Sequence, residues 1–336
     1  MKINGFDLEK KVLIVAEIGV NHNGDLSLAK GMIKEAKASG VDAVKFQIYH
    51  TKSLTQDPRE AEILKKYELK YESFFELSEL AKENGLIFLA TPFDKEAVDL
   101  VANLSPAIKI ASGDTTNIPL IEYIAKKDKP IILSTGGSTM EEVINTLSVI
   151  EKINRRLIRE SQIILLHSIL SYPAPISEVN LLSIPFLHQN LNFTVGYSDH
   201  TEGISACLYS VSLGARLVEK HFKLNSACPD SQVSADPEEM KTLVRETRLI
   251  ESMLGSSKKE SFECELAHIE KARRSLVASC DIKKDEIITE DMLISLRPAG
   301  GISPADIHKV IGKKATSNIK KGSILMSEQL AVSSKQ

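Results

Sequence analysis

The chain lacks any uninterrupted apolar run approaching membrane-spanning length, and its N-terminal MKINGFDLEKK has no apolar export core. Both absences point to a cytoplasmic protein with no membrane partner. Neither charge sign is in excess. Lys and Arg number 42 against 45 Asp and Glu, a formal charge of -3 spread along the length without a basic stripe or acidic tail. Nucleic acid is therefore a poor candidate partner. Cysteine is scarce: four residues, Cys207, Cys228, Cys264 and Cys280, with no CxxC spacing. That excludes a disulfide framework or a zinc knuckle, and Cys207, inside an apolar helical pattern, reads as a core thiol. The glycine-rich turn of a dinucleotide fold is also missing. EIGVNHNG stands after the first apolar run instead, which argues against a doubly wound sheet.

What is present is an alternation. With 336 residues, 43% of them hydrophobic, the chain can form one large domain, or a large and a small one. Eight short apolar runs occur in order: VLIVAEIG (12–19), AVKFQIY (43–49), LIFLATPF (86–93), AIKIASGD (107–114), PIILSTGG (130–137), IILLHSIL (163–170), FTVGYSDH (193–200) and ARLVEKHF (215–222). Near-continuous apolarity is the pattern of strands buried on both faces. Helix-period segments separate them. One places Leu28, Met32, Ile33 and Ala36 on a single face before Gly40; another opens on Asp236 and Pro237, a cap followed by a first-turn proline. Eight strands alternating with helices over residues 1–255 predict an α/β fold, a (β/α)8 barrel with its active site at the C-terminal strand ends. Residues 256–275 read as a charged, helical or linker-like segment. A small β-rich module over 276–336 follows, below the size of a comfortable isolated core.

The expected strand ends are polar almost without exception. They carry Glu17, Lys45 and Gln47, Thr91, Lys109 with Ser112 and Asp114, Ser134, His167, Ser198 and His200, and His221. Buried charges need partners, so the set carries more weight than any member. Two lysines with several hydroxyls suit a phosphate or carboxylate. Two histidines from adjacent strands suit a divalent transition metal with open positions, and a carboxylate beside them can act as base or position water. This chemistry fits carbon–carbon bond formation with a phosphorylated enol donor. It fits a metal-dependent aldolase as well.

The motifs AEIGVNHNGD, VKFQ, TPFD, KIASGD, ILSTGG, YPAP, VGYSDHTEG and EKHF, in this order, resemble those of the sialic acid synthase family. RPAGGIS in the small module looks like that family's antifreeze-like (SAF) domain. The resemblance spans essentially the whole chain. It implies condensation of phosphoenolpyruvate with an N-acetylated mannosamine-type sugar, giving a nine-carbon 2-keto sugar acid and phosphate. It further implies a divalent metal, Mn²⁺ with Mg²⁺ or Co²⁺ as alternatives, on His200 and His221. Phosphoenolpyruvate would lie on Lys45, Thr91, Lys109, Ser112, Ser134 and Ser198, the sugar on Gln47, Tyr172, Asp230 and Arg297, and acid–base work would fall to Glu17 and Asp114. Arg297 would reach the barrel of a partner chain in a domain-swapped homodimer.

Three positions depart from the family pattern: Asp114 for a commoner Glu, Leu170 for a small polar residue, and Ser231 for a frequent His. A barrel synthase using a sugar phosphate is the main rival, and it would need a second basic anchor at the mouth. A binding or structural protein is the rival from another class, and it leaves the charged mouth unexplained.

Overall fold

The computed structural model describes residues 1–331, so the last five residues of the expected small module lie outside the described part. The contacts divide the chain into two units, Met1–Gly255 and Ser256–Gln336.

The first unit opens with a hairpin, β1 (Lys2–Ile3) and β2 (Phe6–Asp7). Eight parallel strands follow: β3 (Leu13–Gly19), β4 (Ala43–Ile48), β5 (Ile87–Pro92), β6 (Ile108–Ile110), β7 (Ile131–Ser134), β8 (Ile163–Ser168), β9 (Thr194–Asp199) and β10 (Leu217–His221). Each pairs with its neighbour in sequence, and β10 pairs with β3, closing the (β/α)8 barrel. Side chains of a strand alternate between faces, and this sorts the barrel residues into two populations. One face packs against the helices and forms the main core, with Ile14, Val44, Phe46, Phe88, Leu133 and Leu165 among its members. Each such side chain contributes about 1.5–3 kcal/mol on burial. The other face points inward, where Leu13, Val15, Ala43, Leu89, Ile132, Leu166 and Leu217 pack together.

The lowest of these inward residues, Leu13, Ala43 and Leu217, open their strands, and Ile3 and Leu8 of the N-terminal hairpin join the cluster. The hairpin thus floors the barrel at its N-terminal end. Gly196 on β9 permits the close packing of this interior, because a Cβ there would lie 2.5 Å from the Leu217 carbonyl oxygen.

The helices begin where the sequence supplies caps. Asp25 accepts from the backbone N–H groups of Ser27 and Leu28 ahead of helix Leu26–Ala38. Asp236 and Glu239 form a reciprocal capping box on helix Pro237–Leu254, with proline in the first turn. The run 107–114 is strand only through Ile110; Ser112–Asp114 forms a 3-10 turn, closed by the Asp114 N–H donating to the Ala111 carbonyl. No helix of the described residues is long and apolar enough to cross a membrane.

The second unit contains helix Glu263–Ala272 and an antiparallel pair, β11 (Ser275–Ala278) and β12 (Leu293–Leu296). Its own small core gathers Leu276, Ile282, Ile288, Val310, Ile319 and Leu325. Arg297 follows β12 and is exposed.

Candidate active site at the barrel mouth

Above the apolar floor the inward positions turn polar, strand by strand. Glu17, Lys45, Gln47, Thr91, Lys109, Ser112, Ser134, Tyr172, Ser198, His200 and His221 line one narrow cavity of about 50 Å³, together with Phe93, Ala111 and Glu219. The cavity is small because its charged side chains fill it by pairing with one another. Lys45 Nζ lies 2.8 Å from Glu17 Oε2 and 3.5 Å from Glu219 Oε1, and donates to Thr91 Oγ1 at 3.1 Å. Lys109 Nζ donates to Ser134 Oγ at 2.7 Å and to the Ile110 carbonyl at 3.0 Å. Ser198 Oγ donates to Glu219 Oε1 at 2.9 Å. Gly136 lets the next loop approach Ser112: its N–H donates to Ser112 Oγ at 3.2 Å, where a Cβ would crowd that oxygen.

All four charged groups are almost completely buried, so electrostatics sets their state. Burial raises Glu17 above the ordinary carboxylate range, against the pull of Lys45. Burial also acts on Glu219, but Lys45 and Lys109 overcome it and hold that carboxyl at about 2. Lys109 is driven down to about 8, chiefly by burial. Lys45 moves the other way, because Glu17 and Glu219 outweigh its desolvation. The mouth therefore holds one firm carboxylate, one carboxyl raised above its ordinary range, one firm ammonium and one ammonium brought down to about 8.

The two histidines come from adjacent strand ends, with ring centroids 5.5 Å apart. Nδ1 of His200 is 2.6 Å from the Ile169 carbonyl. A carbonyl only accepts, so Nδ1 carries the proton and Nε2 is free as a ligand atom. Burial holds this ring neutral, with its pKa down to about 4. Nδ1 of His221 is 3.1 Å from Asp230 Oδ2. Burial would lower His221, but Asp230 and the nearby Glu17 raise it. Asp230 is itself placed by Asn21, whose Oδ1 accepts from the Asp230 N–H at 3.0 Å while its Nδ2 donates to the Phe222 carbonyl and Ser234. His200, oriented by a carbonyl on Nδ1, has Nε2 free as metal-binding histidines do, and His221, with the Asp230 carboxylate beside Nδ1, would present its Nε2 in the same way. Among the described residues no three His, Cys, Asp or Glu side chains converge as a ligand cluster. The donor set fits a divalent ion with two protein ligands and the remaining positions open. Tyr172 stacks on His200, ring centroids 4.0 Å apart, and forms a rim over the cavity.

Four expected residues lie outside the cavity lining. Asp114, on its turn, accepts from Asn117 Nδ2 at 2.9 Å and is half-buried. Asp230 stands behind His221 instead of in the lining. Arg297 belongs to the second unit. His167 requires a correction. On β8 the inward residues are Leu166 and Ser168, so His167 points outward, and its Nε2 donates to the Val179 carbonyl at 2.7 Å. Ser168 takes the place facing the site, 3.5 Å from His200 Nδ1. Glu219 was not expected. It is two residues before His221 on the same strand, and period-two alternation places both on one face. A wider groove of about 980 Å³ runs beside helices Thr51–Leu54 and Pro58–Tyr67. Its Lys65 and Lys66 are paired with Glu68 and Glu62, so it offers no free cation cluster.

The barrel and the small β-rich unit belong to an enzyme of the sialic, or nonulosonic, acid synthase class, as its relatives are named. The N,N'-diacetyllegionaminic acid synthase of Campylobacter jejuni is 42% identical over 94% of this chain and 99% of its own length. The human N-acetylneuraminate-9-phosphate synthase is 34% identical over 94% of this chain and 91% of its own. Among solved structures, an N-acetylneuraminic acid synthetase from Leptospira borgpetersenii, crystallised with citrate, superposes with a TM-score of 0.73 at 35% identity. That superposition covers 77% of this chain and 90% of the other. The chain belongs to the NeuB family, whose model matches residues 32–259, and a SAF domain matches residues 273–331.

Proposed function

We propose that the enzyme condenses phosphoenolpyruvate with the open-chain aldehyde of an N-acetylated mannosamine-type sugar, giving a nine-carbon 2-keto sugar acid and phosphate. The observation that carries this reading is the pair of buried ammonium groups, Lys45 and Lys109, each hydrogen-bonded to a hydroxyl inside one cavity beside two imidazoles. Ammonium groups with hydroxyl donors in a water-poor pocket suit a small anion carrying both carboxylate and phosphate. Such an anion would replace the protein's internal pairs as the partner of the lysines.

The donor's CH₂ carbon forms the new bond to the aldehyde carbon of the acceptor. The phosphate-bearing carbon becomes an oxocarbenium, water adds there, and phosphate departs with the bridging oxygen. Glu17, raised by burial against the pull of Lys45, can exchange a proton with the former aldehyde oxygen and with the attacking water. Glu219, firmly ionised, keeps Lys45 and Lys109 charged and stabilises the positive carbon. Tyr172 offers its ring face to the acceptor at the rim. His200 and His221 would hold a divalent ion, Mn²⁺ being the first candidate, which supplies Lewis-acid polarisation of the aldehyde.

The test uses phosphoenolpyruvate labelled with ¹⁸O in the bridging position, with N-acetylmannosamine and a 2,4-diacetamido-trideoxymannose as acceptors. Mass spectrometry should find the label in phosphate and the acceptor joined to three new carbons. Label retained in the sugar acid, or no phosphate release with any acetamido sugar, would sink the proposal.

A further inference from the structure

Beside the two imidazoles, on the opposite face of the same two strands, lies an ion pair that the chemistry above does not use. Lys220 and Asp199 are direct register partners on β10 and β9. Lys220 Nζ is 2.8 Å from Asp199 Oδ2, and both side chains are fully buried. Alternation places them against the helix layer, while Ser198, His200, Glu219 and His221 line the cavity. A buried ion pair is weak support for stability, since an apolar pair of the same volume commonly serves packing as well or better. Its use is therefore to be sought in what it holds still.

The pair holds the chain around His200. Asp199 Oδ1 accepts from the Thr201 N–H at 2.9 Å and from the Tyr197 hydroxyl at 3.0 Å. Lys220 Nζ donates to the Thr201 carbonyl at 2.6 Å. Both backbone groups of Thr201 are thus tied to the pair, on one side of His200, and Asp199 is the residue on the other. His200 needs this support because it lies beyond the last rung of its strand. The β9–β10 ladder ends at Asp199 with Lys220, whereas His221 is still paired in register with Glu17. One ring is carried by the sheet. The other is carried by a turn that the ion pair braces, together with the Ile169 carbonyl on the ring and the Ala174 N–H on the His200 carbonyl.

We propose that Asp199 and Lys220 are positioning residues that fix the separation of the His200 and His221 rings, and with it the affinity of the site for a divalent cation. The inference rests on the reading that these two histidines bind metal. It assigns a role to residues that touch neither substrate nor cation.

The experiment measures Mn²⁺ binding to the full-length chain by the electron paramagnetic resonance signal of free Mn²⁺, alongside thermal unfolding of the metal-free protein. The variants are D199N/K220M, which removes both charges together, and Tyr197→Phe, which removes one donor to Asp199 without changing charge. D199N/K220M should keep cooperative unfolding and lose about 10–100-fold in Mn²⁺ affinity, the range typical of groups that orient metal ligands. Tyr197→Phe should weaken Mn²⁺ in the same direction, by a smaller factor, with its unfolding temperature little changed. Should the double variant fail to fold, Tyr197→Phe decides: unaltered Mn²⁺ affinity overturns the proposal. Wild-type affinity in a folded double variant overturns it as well, leaving the pair a packing element only. If the wild-type chain binds no Mn²⁺, or His221→Ala binds it equally well, the metal reading itself is wrong and the positioning role falls with it.

Discussion

Lys109 offers a test with two readouts of opposite sign. Its ammonium sits under the cavity, bonded to Ser134 and the Ile110 carbonyl, and burial brings its pKa from 10.5 to about 8. A shift of that size corresponds to about 3 kcal/mol of penalty on the charged form. For stability, the sign follows from proton counting. Between about pH 8 and 10.5 the unfolded chain holds a proton on this lysine that the folded chain has lost, so stability rises with pH across that window. Below about pH 8 both states are charged and the full penalty is present. On the proposed reading donor capture runs the other way, because it would need the ammonium. The kcat/KM for phosphoenolpyruvate should be level below about pH 8 and fall about tenfold per unit above it.

Lys109→Met separates this group from every other that titrates in the same range. The variant escapes the charge penalty of about 3 kcal/mol but loses two hydrogen bonds of about 1 kcal/mol each, so its stability at pH 7 should equal or slightly exceed wild type. Donor capture should fall by about 2–5 kcal/mol, roughly 30-fold or more, with the acceptor KM little changed. Urea midpoints across pH 7–11 and a phosphate-release assay with each substrate varied in turn give all four quantities. The wild-type curve should gain on the Lys109→Met curve between about pH 8 and 10.5. A clearly destabilised variant, equal damage to both Michaelis constants, or a flat donor profile through pH 10 would refute the reasoning.

His221→Ala should unfold like the parent yet lose most turnover, and wild-type activity should vanish with EDTA and return with Mn²⁺; full activity after exhaustive chelation would remove the metal from the mechanism. Glu17→Gln should reduce turnover far more than Asp114→Asn, since Asp114 stands outside the cavity lining on its own turn; comparable losses in single-turnover measurements would show that Asp114 moves into the site. Arg297→Ala and Glu17→Gln chains, each nearly inactive alone, should recover about a quarter of wild-type activity after full subunit exchange if the arginine serves a partner's barrel. A mixture that stays inactive would refute the swapped dimer.

The strands were legible because parallel barrel strands are buried on both faces, which leaves unbroken apolar runs such as IILL at 163–166. Much of the mouth was legible for a related reason. An inward-facing charged residue in such a run, Lys45 or Lys109, has nowhere to go except the one polar end of the barrel. The misses come from facing, which depends on which alternate residues point inward. His167 ends an apolar run as convincingly as His221 does, yet it sits one residue out of phase with Leu166 and Ser168. Counting back by twos from His221 would have found Glu219. Asp199 and Lys220 carry no such signal, because nothing in VGYSDH or EKHF says that two outward charges meet across strands. Ser112 and Asp114 were placed on a strand that ends at Ile110, since the small residues after it favour a turn.

The hairpin beneath the barrel turns the interior into a well with a floor. Ile3 and Leu8 close it from below, and the two lysines rise from the lowest polar level, Lys45 in register with Leu89 and Lys109 with Ile132. Tyr172 stands at the rim. In a vessel with a single opening, a molecule held by the lysines must arrive before one held at the brim, so on the proposed reading a seated acceptor would shut the donor out. Under the proposed chemistry, the order in which the two substrates add would thus be set by the shortest strands among the described residues, β1 and β2, at the end of the barrel farthest from the mouth.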